Sequence, residues 1–401
     1  MAILNGIFNT GDNPTELNSR SFADTILRLF PNGSAPLWAL SAKAGTKKAV
    51  SSTHGYFSKT MTFVTTTSTG GDTAVATLLT VGSTTGMIAN MVLHNVRTRE
   101  NVRVVSVASA TTVNVVRAFG RVTAAAMNAA DKLIQVGTAF EEGSSRPGSR
   151  QLSTVYVANY TQIFRNAWGL TDTARASMSE LGYSNVAESR KDCSLFHSVE
   201  MEGAVMFGQA KMDTTGDQPL HATQGIIDAI YQYAPANINP AAGTTDYGDL
   251  VALVEEPFNY TTDVGNTGER MGFCDRLAMK VLTDVGRKSG QIQIMQNETS
   301  FGMKFTSFKF YQGTINLIQH PLMNGLDPTG GNLLIVDLAA VKLAYMEGRN
   351  AKMEEYGQGG KQVELGTDGV GGSVTSEFAV ECINPFACGY VTGLTSGIAE
   401  T

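Results

Sequence analysis

Apolar and polar positions fall into a helical rhythm over residues 184–211, a stretch with no proline to interrupt it. Asp192, Phe196, Val199, Gly203, Met206 and Ala210 recur at alternating steps of four and three, which puts them on one face of a helix. Ser184 or Asn185 caps the start, with Glu188 able to reach back as in a capping box. Such a helix is roughly 42 Å long, about twice the common globular length. In a chain otherwise rich in strand pattern and glycine, it predicts a plate-like domain built on one long spine.

Before the spine the pattern is strand-like. Residues 53–67 carry Tyr56, Phe57, Met61, Phe63 and Val64 among threonines, and residues 153–165 form the matching return strand. Together they predict a long antiparallel hairpin interrupted by a module of its own. Within that module, strand runs at 77–81, 90–96, 101–107, 111–118 and 132–136 follow one another with Gly, Asn and Thr punctuation. The spacing predicts a small β-barrel or sandwich inserted over residues 67–137.

Residues 1–50 read as an arm. A short helix at 21–30 stops at Pro31-Asn32-Gly33, and Leu37, Trp38 and Leu40 make an apolar plug with little of the arm to pack against. The plug is therefore expected to pack on another domain or another subunit. A short helix over 171–181 precedes the spine. Beyond it, residues 222–335 read as an α/β unit with a helix at 223–233. A second helix opens at Asn266 or Thr267, with Met271, Cys274, Leu277, Ala278, Val281, Leu282 and Val285 on one side, Arg287 and Lys288 in its last turn and Gly290 at its end. Strands at 302–311 and 314–320 pair through Gln312-Gly313, and a further strand covers 332–338. A β segment at 373–382 and a last strand at 388–394 close the chain, leaving 395–401 as a tail.

Composition narrows the function classes. At 401 residues the chain holds two or three domains, and its charged fraction of 16% is low against the usual quarter. With 42 glycines, this mix suits a protein that covers much of its surface with copies of itself. The net charge of −6 argues against a nucleic-acid reader. Residues 67–137 carry six Arg and Lys against three Asp and Glu, a local +3 that reads either as a partner patch or, more plainly, as a solvated barrel surface. Cys193, Cys274, Cys382 and Cys388 contain no CxxC and read as buried free thiols. No signal peptide and no run of 18 apolar residues is present, so no membrane segment is expected.

Candidate chemistry is sparse. No phosphate-binding GxxxxGK[ST], GxSxG elbow or HExxH occurs. His54, His94, His197, His221 and His320 lie too far apart in sequence to suggest a metal site, and His197 reads as a packing or interface residue. Glu200 and Glu202 point about 200° apart on a helix, while Glu141-Glu142, Glu255-Glu256 and Glu354-Glu355 sit in turn-like contexts. No catalytic residue, cofactor or metal is expected, and probability moves from enzyme to scaffold.

The order of parts then carries a resemblance. Residues 30–37 (Phe-Pro-Asn-Gly-Ser-Ala-Pro-Leu), 139–143 (Ala-Phe-Glu-Glu-Gly), 159–165 (Asn-Tyr-Thr-Gln-Ile-Phe-Arg) and 383–394 (Ile-Asn-Pro-Phe-Ala-Cys-Gly-Tyr-Val-Thr-Gly-Leu) are the stretches that carry it. The chain resembles the major capsid proteins of tailed bacteriophages with the HK97-type fold, of the kind with an extra β module in the extended loop. That resemblance implies an α+β fold whose N-terminal arm is 1–50, extended loop 51–66 with 138–165, and inserted β domain 67–137. It also implies a peripheral domain of 166–221 with 336–394 carrying the spine helix 184–211, an axial domain at 222–335 and a tail at 395–401. Leu37, Trp38, Leu40, Tyr56, Phe57, Phe63, Tyr156, Tyr160 and Phe164 become candidate contacts between subunits. The implied function is self-assembly into hexamers and pentamers of an icosahedral or prolate shell enclosing double-stranded DNA without reading it. Implied partners are other copies, a scaffolding protein, a portal and a cement or decoration protein. The implied location is the virion, assembled in the host bacterial cytoplasm. No charged coiled-coil scaffolding segment precedes the arm, and no Lys/Asn cross-linking pair matches. The alternatives are an encapsulin-like compartment shell, a tail-tube protein and a cement protein.

Overall fold

A computed structural model describes residues 36–59, 63–147, 149–177, 185–259, 268–289, 295–300, 303–326, 330–357 and 368–395. The expected arm helix at 21–30, the cap at Ser184, the opening of a helix at Asn266 or Thr267 and most of the tail lie outside them. The chain divides into two compact units, residues 57–156 and the remainder.

The smaller unit is a closed barrel. Six strands lie in the order Thr65–Thr67, Lys132–Thr138, Met91–Asn95, Asn101–Val107, Thr112–Val116, Leu78–Thr80. The first and last meet, because Ser68 bridges Val81 and the Gly82 amide donates to the Thr67 carbonyl at 2.9 Å. Closure removes free sheet edges, the principal aggregation liability of short strands. Alternation along each strand sends Leu93, Val102, Val104, Val113, Val115 and Leu133 inward, and Met91 and Met127 fill the remaining core. The unit extends beyond the expected 67–137 at both ends, since Thr65–Thr67 pairs with Lys132–Thr138 as a barrel strand. The expected long hairpin is correspondingly shorter. Only Thr53–Ser58 and Val155–Tyr160 pair with each other, and Gln162–Thr171 instead joins a sheet with Gly369–Cys382.

The larger unit holds two principal sheets. In the first, the 14-residue strand Gly369–Cys382 lies at the centre. It pairs antiparallel with Gln162–Thr171 on one side, and with Val341–Met346 and Lys352–Tyr356 on the other. Gly45–Ala49 adds to Val341–Met346 as a parallel edge strand. This corrects the arm assignment. Residues 45–49 are part of the body, and the helix Ala39–Lys43 before them buries Ala39 and Leu40 in the same chain's core. The buried Ala39, Leu40, Ala44 and Ala49 and the paired strand edge anchor this end within the same chain.

The spine helix spans Asn185–Phe207, 23 residues or about 34 Å. Lys211 lies beyond it in a short hairpin, Lys211–Asp213 with Leu220–Ala222. The helix stops at Gly208 because the backbone of Gly225 crosses there, and a Cβ on Gly208 would lie 2.5 Å from the carbonyls of Ala204 and Thr223. The buried face also differs from the expected stripe. It consists of Cys193, His197, Glu202, Val205 and Met206, whereas Phe196 is 62% exposed. The stripe fails because this face meets the sheet through hydrogen-bonded polar groups, which a hydrophobic periodicity cannot register.

The second sheet has seven strands, ordered Ile238–Pro240, Gly389–Thr392, Leu333–Val336, Glu269–Cys274, Thr314–Gln319, Met303–Lys309, Met295–Ser300. Met271 and Cys274 lie on a strand, not on the expected helix. The helix is Arg276–Ser289, and the break between them is Asp275, whose Oδ1 accepts the Ala278 amide at 2.6 Å as a cap. Gly389–Thr392 belongs to this sheet through Leu333–Val336, so the chain's last strand does not return to the first sheet as the peripheral assignment of 336–394 requires. One core cluster, including Phe273, Leu334, Phe378 and Met206, joins both sheets and the spine.

Candidate assembly surfaces

Three polar networks and a set of exposed aromatic residues define what the described surfaces do. The deepest network lies under the spine. Glu202 and His320 both have fully buried side chains. The Glu202 carboxylate accepts the Leu40 amide at 2.6 Å on Oε1 and the Ser41 amide at 2.7 Å on Oε2. His320 Nε2 lies 3.1 Å from Oε1, while its Nδ1 accepts the Leu322 amide at 3.2 Å. Since Nδ1 is an acceptor, the ring proton sits on Nε2 and is donated to Glu202. Three donors thus converge on the two carboxyl oxygens of Glu202.

The second network lies where the ribbon of Thr53–Ser58 and Val155–Tyr160 joins the first sheet. Asn159 is buried, and its side-chain amide donates to Thr223 Oγ1 at 3.1 Å, to the Gln224 carbonyl at 3.1 Å and to the Val380 carbonyl at 2.7 Å. Its Oδ1 accepts the Gln224 amide at 2.7 Å. Beside it, Glu381 Oε2 lies 2.5 Å from His54 Nε2 and accepts from Lys47 at 3.2 Å. Thr161 donates to Glu377 Oε1, whose second oxygen pairs with Arg349 at 2.9 Å. Burial, with Cys382, Tyr233 and Glu381 adding to it, holds the Tyr56 phenol well above its ordinary value. Lys47, His54, Asn159, Thr161, Glu377 and Glu381 thus carry side-chain hydrogen bonds that tie the base of the ribbon to the first sheet.

The third network stiffens the barrel. Arg117 is 6% exposed and grips the fully buried Glu100 with Nε and Nη2, both at 2.8 Å. Glu100 also accepts the amides of Ala118 and Ala125. Burial pushes the Glu100 carboxyl up, but Arg117 and these amides outweigh it and leave it below the usual carboxylate range. Arg97 clamps Asp131 in the same way, at 2.6 and 2.7 Å, and holds that carboxyl well below its ordinary value.

The candidate contact residues separate into two groups. Leu40 and Phe164 are buried in the chain's own core, Phe164 stacked on Phe378 at 4.9 Å. Tyr56 lines a small cavity with His54, Asn159 and Glu381, Tyr160 stacks on His221 at 5.7 Å, and Leu37 is half-buried. The others point outward. Phe63 is 76% exposed, Phe57 74%, Tyr156 49% and Trp38 40%. Phe57 and Tyr156 lie side by side, ring centroids 5.0 Å apart, forming one apolar spot on the ribbon. Glu202, Asn159 and Glu381 were missed in the sequence. Only Glu202 carries a signal there, being an acid three and four positions before Val205 and Met206 on an apolar helix face.

His197 is buried as a packing residue, between Asn166 Oδ1 and Ser376 Oγ at 2.8 Å each, and burial lowers its pKa. The four cysteines are free and buried. Among the described residues, no cluster of His, Cys, Asp and Glu could hold a metal ion, and no helix is long and apolar enough to cross a membrane.

Residues 7–395 match the family model described as SU10 major capsid protein. The major capsid protein of Pseudomonas phage PaMx41 is 49% identical over 405 residues, covering 98% of this chain and 97% of that protein. A solved structure from Microbacterium phage Oxtober96 aligns with a TM-score of 0.50 at 11% identity, over 95% of this chain and 97% of that one. The capsid of Myoviridae phage XM1 aligns with a TM-score of 0.48 at 9% identity, over 97% of this chain and 99% of that one.

Proposed function

The chain belongs to the SU10 major capsid protein family, with the HK97-type fold, and we propose from that premise that its copies form hexamers and pentamers of a shell around double-stranded DNA. It is a phage major capsid protein, a structural component of the virion, and the family is not one of enzymes. The encapsulin-like and tail-tube alternatives give way to this membership. The observation that carries the finer reading is the outward pair Phe57 and Tyr156 on the ribbon, with Phe63 nearby in sequence. Large aromatic rings left in water are costly to the monomer and are what a second copy would cover.

A two-stranded ribbon is marginal alone and gains its order from what it lies on. A specific contact covers about 1,600 Å², and rings of subunits repeat a heterologous contact until rotation closes it. The DNA is contained rather than read, because a chain of net charge −6 offers little neutralisation of phosphates. A scaffolding protein, a portal and a cement or decoration protein complete the partners of this reading, with assembly in the host bacterial cytoplasm. The test is expression of the chain, alone and with its scaffolding protein, followed by electron microscopy. Closed shells are expected, and Phe57→Ser with Tyr156→Ser lowers their yield without altering the fold of the monomer. Folded monomers alone under every condition would sink the reading.

A further inference from the structure

We propose that one end of the barrel, the rim around Arg99 and Arg121, docks on the acidic segment 241–259 of a second copy of the chain. The inference rests on the capsid reading and adds to it which surfaces of two copies meet. Charge is divided unevenly along the sequence. Residues 57–156 carry nine Lys and Arg against five Asp and Glu, whereas residues 212–269 carry nine Asp and Glu and no Lys or Arg. Two of the five acids in 57–156 are also withdrawn from the surface, since Glu100 and Asp131 are buried under Arg117 and Arg97. The barrel is therefore more basic on its surface than in its composition.

Two loops build the rim. The Ala118 amide donates to Glu100 Oε1 at 2.9 Å and the Phe119 amide to the Asn101 carbonyl at 2.8 Å, which sets residues 99–101 beside 118–121. Arg99 and Arg121 flank that junction, both exposed, and neither pairs with an acid among the described residues. Val96, Phe119 and Val122 are exposed on the same loops, and the Arg103 guanidinium lies 5.5 Å from the centroid of the Phe119 ring. Arginine set among exposed aromatic and aliphatic side chains is the make-up of a contact surface. On the acidic side, the helix Tyr247–Val254 has Asp246 and Asp249 at its start and Glu255 and Glu256 just past its end. Asp246 and Asp249 each accept the other's amide, at 3.2 and 2.8 Å, which leaves the second oxygen of each carboxylate for another donor. No Lys or Arg among the described residues pairs with these four acids. A guanidinium takes a carboxylate through two parallel hydrogen bonds, so the two surfaces suit each other. Neither suits itself, because like charges repel. The contact is therefore heterologous, the kind that closes into rings.

Arg121→Lys keeps the charge and places an amine on the rim. Shells assembled from equal parts of unlabelled and isotope-labelled chain are treated with a carbodiimide, which joins amines to carboxylates in contact, and then digested for mass spectrometry. Mixed-label peptides joining position 121 to carboxylates within 241–259 are expected. Links confined to one copy, links to other segments only, or no link at 121 in intact shells overturn the inference. Arg99→Glu with Arg121→Glu is the second variant. It lowers the yield of closed shells about ten-fold or more at low salt, while hydrogen exchange in the strand Thr112–Val116 stays as in the wild type. Wild-type yield from this variant overturns the inference. So does a defect confined to DNA-filled particles, which puts nucleic acid on the rim in place of a second copy. A wild-type chain that never assembles overturns the capsid reading instead, and the carbodiimide experiment on the concentrated soluble chain still reports on the docking.

Discussion

Replacing Arg117 by Leu tests whether a buried ion pair organises the barrel. In the wild-type chain four donors converge on the Glu100 carboxylate: two guanidinium nitrogens of Arg117 at 2.8 Å, the Ala118 amide at 2.9 Å and the Ala125 amide at 3.4 Å. Arg117 also donates to the Thr73 carbonyl at 2.8 Å, so it ties three loops to one strand end. Removing it leaves a carboxylate with no exposed surface and two amides to face. Breaking a buried pair from one side costs about 3–5 kcal/mol. The Ala118 backbone adds a second effect. Its φ of 52° is left-handed, a conformation an L residue holds only when the surroundings impose it. The hydrogen bonds of the Ala118 amide to Glu100 at 2.9 Å and of the Phe119 amide to the Asn101 carbonyl at 2.8 Å hold that turn.

The assay is native-state hydrogen exchange on the full chain, read at the amides of Asn101–Val107 and Thr112–Val116. Exchange should accelerate by about two to three and a half orders of magnitude. The double variant, Arg117→Leu with Glu100→Leu, recovers part of this, giving a coupling of about 2 kcal/mol or more. An acceleration of exchange smaller than about five-fold in the single variant, or strict additivity in the double, refutes the reasoning.

Acid should loosen the barrel. The Glu100 and Asp131 carboxyls are both held below the ordinary range, so each contributes stability that is complete above the unfolded value near pH 4 and lost as pH falls through the folded one. Methyl NMR of the barrel valines in urea, between pH 6 and 2, reads the midpoint, and a flat profile contradicts it. Gly208→Ala should cost about 1–3 kcal/mol of body stability by calorimetry, because the new methyl meets two carbonyls at 2.5 Å. A neutral result would mean that the helix end and the Gly225 crossing can separate. Excising residues 59–154 and closing the ribbon with a short turn should leave the unfolding midpoint of the body unchanged. Loss of the folded body on excision would show that the two units depend on each other.

Much of the element order was legible because it rests on local signals. The barrel strands announce themselves by alternation, and turn residues mark their ends. The spine was legible as a helix for want of proline, but its buried face was not. His197 and Glu202 are buried because Asn166, Ser376, Leu40, Ser41 and His320 supply partners, and those partners lie far away in sequence. The same reason hides Asn159 and Glu381, polar residues in a strand pattern until the fold surrounds them. The helix expected from 266 onward failed on a local ambiguity. A strand of continuous apolar character followed by a helix reads as one helix, unless Asp275 is recognised as the cap between them. The sequence left open whether Leu40 packs on another domain or another subunit, because no apolar partner lies near it in sequence. Its neighbours in the core, Val205, Met206 and Phe273, come from the middle and later parts of the chain.

The central position of Gly369–Cys382 sets a clock on synthesis. Its partners Gln162–Thr171, Val341–Met346 and Lys352–Tyr356 are all translated before it, the first by almost two hundred residues. At 5–20 residues per second the ribosome takes about 10–40 s to cover that interval. The barrel, closed by pairings within residues 57–156, is complete long before. The sheet on which the spine helix rests is therefore finished well after the barrel. A growing subunit has no finished first sheet to present to another copy until that strand has been made.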